Sequence, residues 1–257
     1  MTFDPKLGVH RTEGMRFTYD ADVFGPQPEL RRLDDIRRSL RDPECQGPDP
    51  VYSIVMDVGR NQDCDELRRR MLLFGVVTYA AGRLGHEPVR SQGHVHAVAP
   101  HCGWSTPEIF EVWEGEAIIY AQERASDDPG SCVAILAHPG QKVVVPPRWA
   151  HCVINADPET RMTFGAWCDR QYGFLYDEVR ARSGLAWFPL LDAERNIHWD
   201  PNPKYSPSRI AVREPRPYPE LGLSQAPMYE QFVADPESVQ WVSDPGRLST
   251  LWHSFEP

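Results

Sequence analysis

The chain of 257 residues is long enough for one large domain, and its 41% hydrophobic and 25% charged residues are typical of a soluble globular protein. Its formal net charge of −10 argues against nucleic acid or an anionic membrane as the main partner. The sequence has no apolar run near the ~20 residues of a membrane span and no secretory signal, which predicts a cytoplasmic protein. Its six cysteines form no CxxC pair and are expected to be free thiols.

The first 50 residues contain one candidate helix. Between Glu29 and Arg41 apolar side chains recur at helical spacing, and Pro28 stands directly before them. Both features predict a helix over this range. We expect the N-terminal segment, residues 1–50, to pack through this helix on the domain that follows.

From residue 51 to 168, short β-branched and aromatic runs alternate with Gly, Pro, Asp and Asn. Many short strands separated by such turn residues predict an all-β sandwich or barrel. The predicted strands are Val51–Asp57, Leu72–Tyr79, Ile109–Trp113, Ala117–Gln122, Cys132–Ala137, Lys142–Val145, Cys152–Asn155 and Met162–Cys168. A short helix over Leu175–Arg182 is predicted to complete this domain, residues 51–185.

The remaining part, residues 186–257, is rich in proline and in aromatic residues. From Pro189 to the end, 11 of 69 residues are proline. Proline opposes long helices and inner strands, whereas disordered segments are usually poor in aromatic residues. We therefore predict an extended C-terminal segment that packs along the main domain or a neighbouring subunit. A partly mobile tail is the alternative.

The run Gly93-His94-Val95-His96 contains the residues most informative about function. Side chains two residues apart on a strand point to the same face, so both imidazoles can bind one metal ion. Glu108 opens the next predicted strand and can supply a carboxylate, with Glu111 as the nearby alternative. A second block of the sequence, Gly140–Asn155, brings a further histidine, His151.

These two blocks resemble the two motifs of the cupin superfamily. The first motif is matched by His94, His96, Glu108 and Gly115, and the second by Gly140, Pro146, His151 and Asn155. Two features depart from the pattern: 11 residues, 97–107, separate His96 from Glu108, and Arg148 stands where the second motif usually has glycine. The gap is interpreted as an inserted loop beside the site.

The cupin resemblance implies both a fold and a cofactor. The fold is an all-β double-stranded β-helix, or jelly-roll barrel, here with a few flanking helices and the proline-rich C-terminal extension. The cofactor is one divalent metal ion held by three imidazoles and one carboxylate, from His94, His96, Glu108 and His151. Such a donor set suits iron or manganese, with nickel and zinc as alternatives.

A narrower resemblance is to the cupin-type glucose-6-phosphate isomerases. Their signature is similar to Gly82–Glu87 followed by Ser91–His96, and the similarity continues in Pro28–Leu40, Pro146–His151 and Tyr172-Gly173. The resemblance covers residues 17–180. It implies a metal-dependent enzyme that interconverts an aldose phosphate and its ketose through an enediolate, with a hydride shift as the alternative route.

The same resemblance implies roles for individual residues. The phosphate end of the substrate would meet Tyr52, Ser91 and the Gly93 backbone, and Arg148 could add an anion contact. Glu108 is the first candidate for proton transfer, and Tyr172, near the sugar, is the second. Glu87, which belongs to the signature, is expected with equal weight to be only a structural partner of a ligand histidine. A phosphate-contacting threonine of the family falls at Val77. Valine cannot donate a hydrogen bond, so this position argues against glucose 6-phosphate as the substrate.

The inserted loop, Val77 and the C-terminal extension leave two alternatives open. One is a different metal-dependent cupin enzyme, such as an iron oxygenase, decarboxylase or lyase that acts on a specialised metabolite. The other is a non-catalytic sugar-binding cupin. In each case the partner is a small molecule rather than nucleic acid or membrane, and a homodimer is the expected assembly.

Overall fold

The computed structural model describes residues 2–257. In the N-terminal part, short strands alternate with one helical turn of α type and short 3₁₀ turns. The elements are β1 (Val9–Arg11), β2 (Phe17–Tyr19), β3 (Val23–Phe24), β4 (Glu29–Arg31) and α1 (Leu33–Ile36), with 3₁₀ turns at Glu13–Met15 and Arg37–Ser39.

The central part is built of strands, as the sequence predicts. Its elements are β5 (Tyr52–Met56), β6 (Gly59–Arg60), α2 (Cys64–Arg69), β7 (Leu72–Tyr79), β8 (Arg83–Leu84), β9 (Glu87–Pro88), β10 (Val95–His96), β11 (Val98–Ala99), β12 (Trp104–Ser105), β13 (Glu108–Glu114), β14 (Ala117–Gln122), β15 (Cys132–Ala137), β16 (Lys142–Val145), β17 (Ala150–Asn155), β18 (Met162–Asp169), β19 (Phe174–Leu175) and α3 (Asp177–Ala181), with a 3₁₀ turn at Asn61–Asp63. All eight predicted strands are present, within two residues at each end.

The C-terminal part begins with strands and ends in short helices. It contains β20 (Trp187–Leu191), β21 (Ile197–Pro201), β22 (Ile210–Arg213), α4 (Met228–Ala234) and α5 (Ser249–Trp252), with 3₁₀ helices at Pro219–Leu221, Pro236–Val242 and Pro245–Leu248. A proline stands at the start of each of these three 3₁₀ helices, where its missing N–H costs nothing. The segment packs on the main domain. From Pro219 onward it contains short helices where an extended chain was predicted.

Two sheets face each other and enclose the inner core. One has the order β16-β13-β18-β7-β5-β4, and the other has the order β17-β14-β15-β22. All neighbouring strands in them are antiparallel except β15 and β22. This arrangement confirms the predicted all-β class and is consistent with the predicted jelly roll. None of the helices in residues 2–257 is long and apolar enough to cross a membrane.

Side chains of the six-stranded sheet alternate between the inner core and an outer one. Val77, Phe110 and Phe164 point inward, whereas Phe74 and Trp167 point outward. The outer side chains are covered by the C-terminal segment, which supplies Tyr229, Phe232 and Trp241 among others. Both faces of this sheet are therefore buried, which explains why its strands are apolar almost throughout.

The helix predicted over Glu29–Arg41 is wrong in its first part. Residues 29–31 form the edge strand β4, in which Arg31 lies opposite Tyr52 of β5. The helix begins only at Leu33, where the Asp35 carboxylate accepts a hydrogen bond from the backbone N–H of Arg32. Pairing with the sheet edge thus outweighs the helical spacing of the apolar residues.

Candidate functional site

The four predicted metal ligands lie together between the two sheets. One possible donor atom from each of His94, His96, Glu108 and His151 lies within 4.8 Å of all the others. Glu108 opens β13 of the six-stranded sheet, and His151 lies on β17 of the four-stranded sheet. An isolated antiparallel bridge to His151 places His94 in the cluster. The His94 N–H donates to the His151 carbonyl at 3.0 Å, and the His151 N–H donates to the His94 carbonyl at 2.9 Å.

The inserted residues 97–107 help to orient His96. They fold back as the hairpin β11-β12, which places the Thr106 carbonyl 2.8 Å from His96 Nδ1. Because Nδ1 must then carry the proton of the neutral ring, the lone pair of Nε2 faces the cluster and can bind a metal ion. The Ser105 hydroxyl also donates to the His96 carbonyl at 2.7 Å. Thus the insertion is part of the wall that supports the site.

The electrostatics of the cluster suit a metal ion. His94 Nε2 is buried without a hydrogen-bond partner, and burial, together with the other two imidazoles, holds the His94 pKa well below its usual value. Burial acts to raise the pKa of Glu108, but His151 and His96, whose Nε2 atoms lie 3.1 Å from its Oε2, outweigh this effect and lower it. A neutral imidazole and an ionised carboxylate are the forms that bind metals, and His94 and Glu108 favour them. Against the effect of burial, Glu108 raises the pKa of His96, so a divalent ion would have to displace a proton there.

The cluster opens into a cavity whose walls are largely apolar. Side chains from both sheets and from β19 form it; the apolar ones are Ile54, Met56, Val77, Phe110, Val153, Phe164, Ala166 and Phe174. Phe174 lies close to the metal-ligand cluster, with its ring centroid 4.3 Å from that of His94. Apolar walls with a few polar groups are typical of small-molecule sites.

Of the residues predicted to bind substrate, Tyr52 and Ser91 line this cavity. Ser91 Oγ accepts a hydrogen bond from the Val153 N–H at 3.1 Å, which leaves its own proton free to donate. Gly93 adopts a φ of +88°, and a Cβ there would come within 3.1 Å of Leu185. Glycine at this position therefore allows the backbone to enter the site without strain.

Two other predicted residues lie outside the cavity lining. Arg148 is exposed, and its backbone N–H donates to Ser105 Oγ at 3.0 Å. Tyr172 is 38% exposed and packs its ring against Phe174. The anion contact predicted for Arg148 and the proton transfer predicted for Tyr172 therefore stay predictions.

Glu87, considered as a partner of a ligand histidine, instead forms a buried ion pair with Arg90 at 2.6 Å. Its second oxygen accepts from the Arg41 N–H at 2.9 Å. Arg90 in turn donates to the carbonyl groups of Ser39 and Ser91. The pair therefore braces the segment that leads into His94, and among the described residues Glu87 makes no hydrogen bond to a ligand histidine.

Two cavity residues were missed by sequence reasoning: Arg31 and Tyr176. Arg31 lies on the edge strand that had been interpreted as helix, and Tyr176 directly precedes α3. The Tyr176 ring centroid is 5.9 Å from that of His94. No local signal could have placed Arg31 here, because its position depends on the pairing of β4 with β5.

Comparison with known proteins bears on this site. A family model described as Glucose-6-phosphate isomerase (GPI) matches residues 32–205, well over half of the chain. The chain belongs to this family. The resemblance stated from its sequence motifs is thereby confirmed. The matched range includes the four clustered residues His94, His96, Glu108 and His151 but leaves out Arg31 and the helical part of the C-terminal segment.

Two curated relatives are named as glucose-6-phosphate isomerases. The glucose-6-phosphate isomerase of Thermococcus onnurineus is 26% identical over 57% of this chain and 72% of its own, and that of Thermococcus gammatolerans is 27% identical over 58% and 74%. Solved structures show more distant likeness. An oxalate oxidase structure has a TM-score of 0.34 and 15% identity over 49% of this chain and about half of its own (54%). A cupin-2 domain protein of Shewanella frigidimarina has a TM-score of 0.26 and 18% identity over 39% of this chain and 72% of its own.

Proposed function

We propose that this protein is a metal-dependent isomerase that interconverts the aldose and ketose forms of a sugar phosphate. The observation that carries the proposal is the convergence of three imidazoles and one carboxylate within 4.8 Å inside a largely apolar cavity. Family membership supports the reaction class. We assign the metal to His94, His96, Glu108 and His151, with Fe²⁺ or Mn²⁺ as the proposed ion and the cytoplasm as the proposed location.

A bound divalent ion would supply a Lewis acid for the carbonyl and hydroxyl oxygens of the substrate. The chain's own part is to move a proton between two neighbouring carbons. Glu108 is our candidate, since it is held ionised and only Oε2 faces His96 and His151, whereas Oε1 is not engaged in a hydrogen bond by any described residue. Oε1 would take the proton from one carbon and return it to the next, the enediolate route.

The aromatic side chains around the cluster have a second task. Phe110 packs edge-on against His151 with ring centroids 5.9 Å apart, and Phe174 contacts both His94 and His96. These rings keep bulk water away from the reacting carbons. In a dry site, charges interact more strongly, and the proton exchanges less with solvent.

One observation favours a second candidate function, another metal-dependent enzyme of the cupin type such as an oxygenase, decarboxylase or lyase. Val77, Phe110 and Phe164 offer no hydrogen bonds to sugar hydroxyls from the inner wall of the cavity. A substrate with an apolar body would suit this wall better. Oxygen consumption or carbon dioxide release on turnover would identify this alternative, and ligand-induced stabilisation without turnover would indicate a sugar-binding protein.

The proposal is tested by following fructose 6-phosphate in deuterated water by proton NMR, with protein reloaded anaerobically with Fe²⁺ or Mn²⁺. We expect glucose 6-phosphate to form with the intact protein and at least about 100-fold more slowly with His94→Ala, since loss of a ligand weakens the metal site. Deuterium at carbon 2 of the product, even at a partial level, would support the enediolate route over a hydride shift. Absence of product with metal bound would contradict the glucose 6-phosphate assignment.

Two phenol variants belong in the same assay, because Tyr172 was predicted to be catalytic and Tyr176 lines the cavity. If Tyr172 acts on the sugar, Tyr172→Phe lowers kcat. If Tyr176 acts on the sugar instead, Tyr176→Phe lowers kcat and Tyr172→Phe leaves it unchanged.

A further inference from the structure

Arg31 is the only arginine or lysine among the residues that line the cavity in the described part of the chain. It lies on the edge strand β4, directly opposite Tyr52 on β5, and its side chain is 22% exposed. A guanidinium on a sheet edge normally extends into solvent. This one borders the same enclosed space as the metal-ligand cluster, so its charge is available to whatever enters that space.

The guanidinium of Arg31 is only partly engaged. Its one carboxylate partner is Glu29, which bonds to Nη1, and the Glu29 side chain is 62% exposed. Such an exposed ion pair contributes little and is readily displaced. The rest of the planar fork faces the hydroxyls of Tyr52 and Tyr176 rather than a second carboxylate. An anion in the cavity can therefore compete for these N–H groups.

Two phenols flank the same guanidinium. Burial raises the pKa of Tyr52 and Tyr176, and the neighbouring positive charge of Arg31 opposes this rise in both. Both hydroxyls therefore stay protonated and can donate hydrogen bonds. A fork of N–H donors between two O–H donors is a site for an oxyanion, which accepts several hydrogen bonds at once.

Most of the remaining cavity wall offers an anion no hydrogen bonds. The inner wall is apolar at Val77, Phe110 and Phe164, and the other acidic or basic side chain of the cavity besides the histidines is the Glu108 carboxyl group. A phosphate or carboxylate placed there would lose its hydration without gaining hydrogen bonds, which costs several kilocalories per mole. An anionic substrate thus has one favourable orientation, with its charged end at Arg31.

We propose that Arg31 binds the terminal oxyanion of the substrate and is the specificity-determining residue for it, with Tyr52 and Tyr176 as hydrogen-bond donors. The ligand class is a hydroxycarbonyl compound with a phosphate or carboxylate at the end remote from the reacting carbons. The part of this proposal that places the reacting carbons of the substrate near His94 rests on the proposed function. The anion contact does not, since it requires neither metal nor turnover.

The test uses the full-length chain freed of metal by a chelator, so that no reaction occurs. Titration calorimetry measures binding of fructose 6-phosphate, of glucuronate, which carries a carboxylate on the corresponding carbon, and of uncharged fructose. We expect one of the two anions to bind at least about tenfold more tightly than fructose, and that anion identifies the chemistry of the terminus. Arg31→Met should weaken its binding about 10- to 100-fold and leave fructose binding unchanged.

Three further variants separate this contact from general charge effects. Arg32→Met removes the same charge from the next residue, which is 54% exposed and lies outside the lining, and should change affinity less than twofold. Arg31→Lys keeps the charge without the fork and should recover part of the loss. Glu29→Gln removes the competing carboxylate and should tighten anion binding about two- to fivefold, a gain that a misfolded variant could not give.

The outcomes are distinct from those of the isomerase assay. If both anions bind no better than fructose, or if Arg31→Met and Arg32→Met weaken binding equally, the assignment of Arg31 is overturned even when the loaded enzyme turns over. If Arg148→Met weakens anion binding and Arg31→Met does not, the anion site is at Arg148 instead. If Arg31-dependent binding is found without isomerisation, the anion site is supported and the proposed isomerase reaction is contradicted.

Discussion

At the scale of single residues, buried ionisable groups outside the metal-ligand cluster make their own contribution. Asp169 is fully buried at the end of β18, where its Oδ1 accepts the Gln171 N–H at 2.7 Å and its Oδ2 lies 3.2 Å from His101 Nε2. Burial raises the pKa of Asp169 to about 6, although His101 partly opposes the rise. His101 belongs to the inserted residues 97–107, so this contact fixes the insertion to the barrel.

The raised pKa predicts a pH dependence of stability. An unfolded aspartate has a pKa near 3.9, so between about pH 6 and pH 4 the folded chain binds more protons than the unfolded chain and gains stability as the pH falls. Asp169→Asn removes this effect. The free energy of unfolding of the wild type, minus that of the variant, should therefore rise by about 1–2 kcal/mol from pH 7.5 to pH 5. Urea unfolding at both pH values checks this, and parallel pH profiles would contradict the assignment.

Elements, the next scale, show which features a single sequence can predict. The eight strands were recognisable because their apolar runs are bounded by turn residues. The cluster of His94, His96, Glu108 and His151 was recognisable because two short motifs fix the spacing of these residues. Arg31 and Tyr176 could not be found in this way. Each reaches the cavity through pairing or packing between segments far apart in sequence, β4 with β5 and β19 with β10. Local periodicity contains no information about such contacts.

The C-terminal segment is the element whose role is least evident from sequence, and it covers the outer face of the six-stranded sheet. Tyr229 stacks on Trp167 with ring centroids 5.7 Å apart, and the Phe232 ring lies 5.1 Å from the same indole. The backbone N–H of Met228 donates to the buried Glu111 carboxylate at 2.9 Å. Glu111, the alternative to Glu108 in the sequence, thus serves this outer contact and points away from the metal-ligand cluster.

This cover predicts a large effect for one aromatic truncation. Phe232 is 1% exposed, and Phe232→Ala should lower the free energy of unfolding by about 3–5 kcal/mol, the usual cost of losing a buried phenylalanine and leaving a cavity. Val212→Ala is the control, since Val212 is 61% exposed on the edge strand β22 and should change stability by less than about 0.5 kcal/mol. Equal effects of the two substitutions in urea unfolding would show that the segment is not part of the cooperative core.

At the scale of the whole molecule, the covered face bears on assembly. With the outer side of the six-stranded sheet occupied by the chain's own residues, a second copy would have to use another surface, such as the open edge of β4. The homodimer expected from the sequence stays a prediction. The six cysteines are all free thiols, as predicted, so covalent links contribute nothing to the fold.

The proposed metal connects the two sheets, since Glu108 belongs to the six-stranded sheet and His151 to the four-stranded one. An ion that binds only the folded chain stabilises it by about 2.7 kcal/mol at 100 times its dissociation constant. For a chain of this size, each kilocalorie shifts Tm by about 2–4 °C, so Mn²⁺ should raise Tm by about 5–10 °C.

Scanning calorimetry with and without a chelator measures this shift, and His94→Ala, which removes one ligand, should abolish it. His138→Ala provides the matched control, because His138 is half-exposed, lies outside the cluster and should leave the shift intact. A metal-dependent rise in Tm that survives His94→Ala would place the ion elsewhere. If Mn²⁺, Fe²⁺, Ni²⁺ and Zn²⁺ all leave Tm unchanged, the cluster is not a metal site and the proposed metal dependence is contradicted.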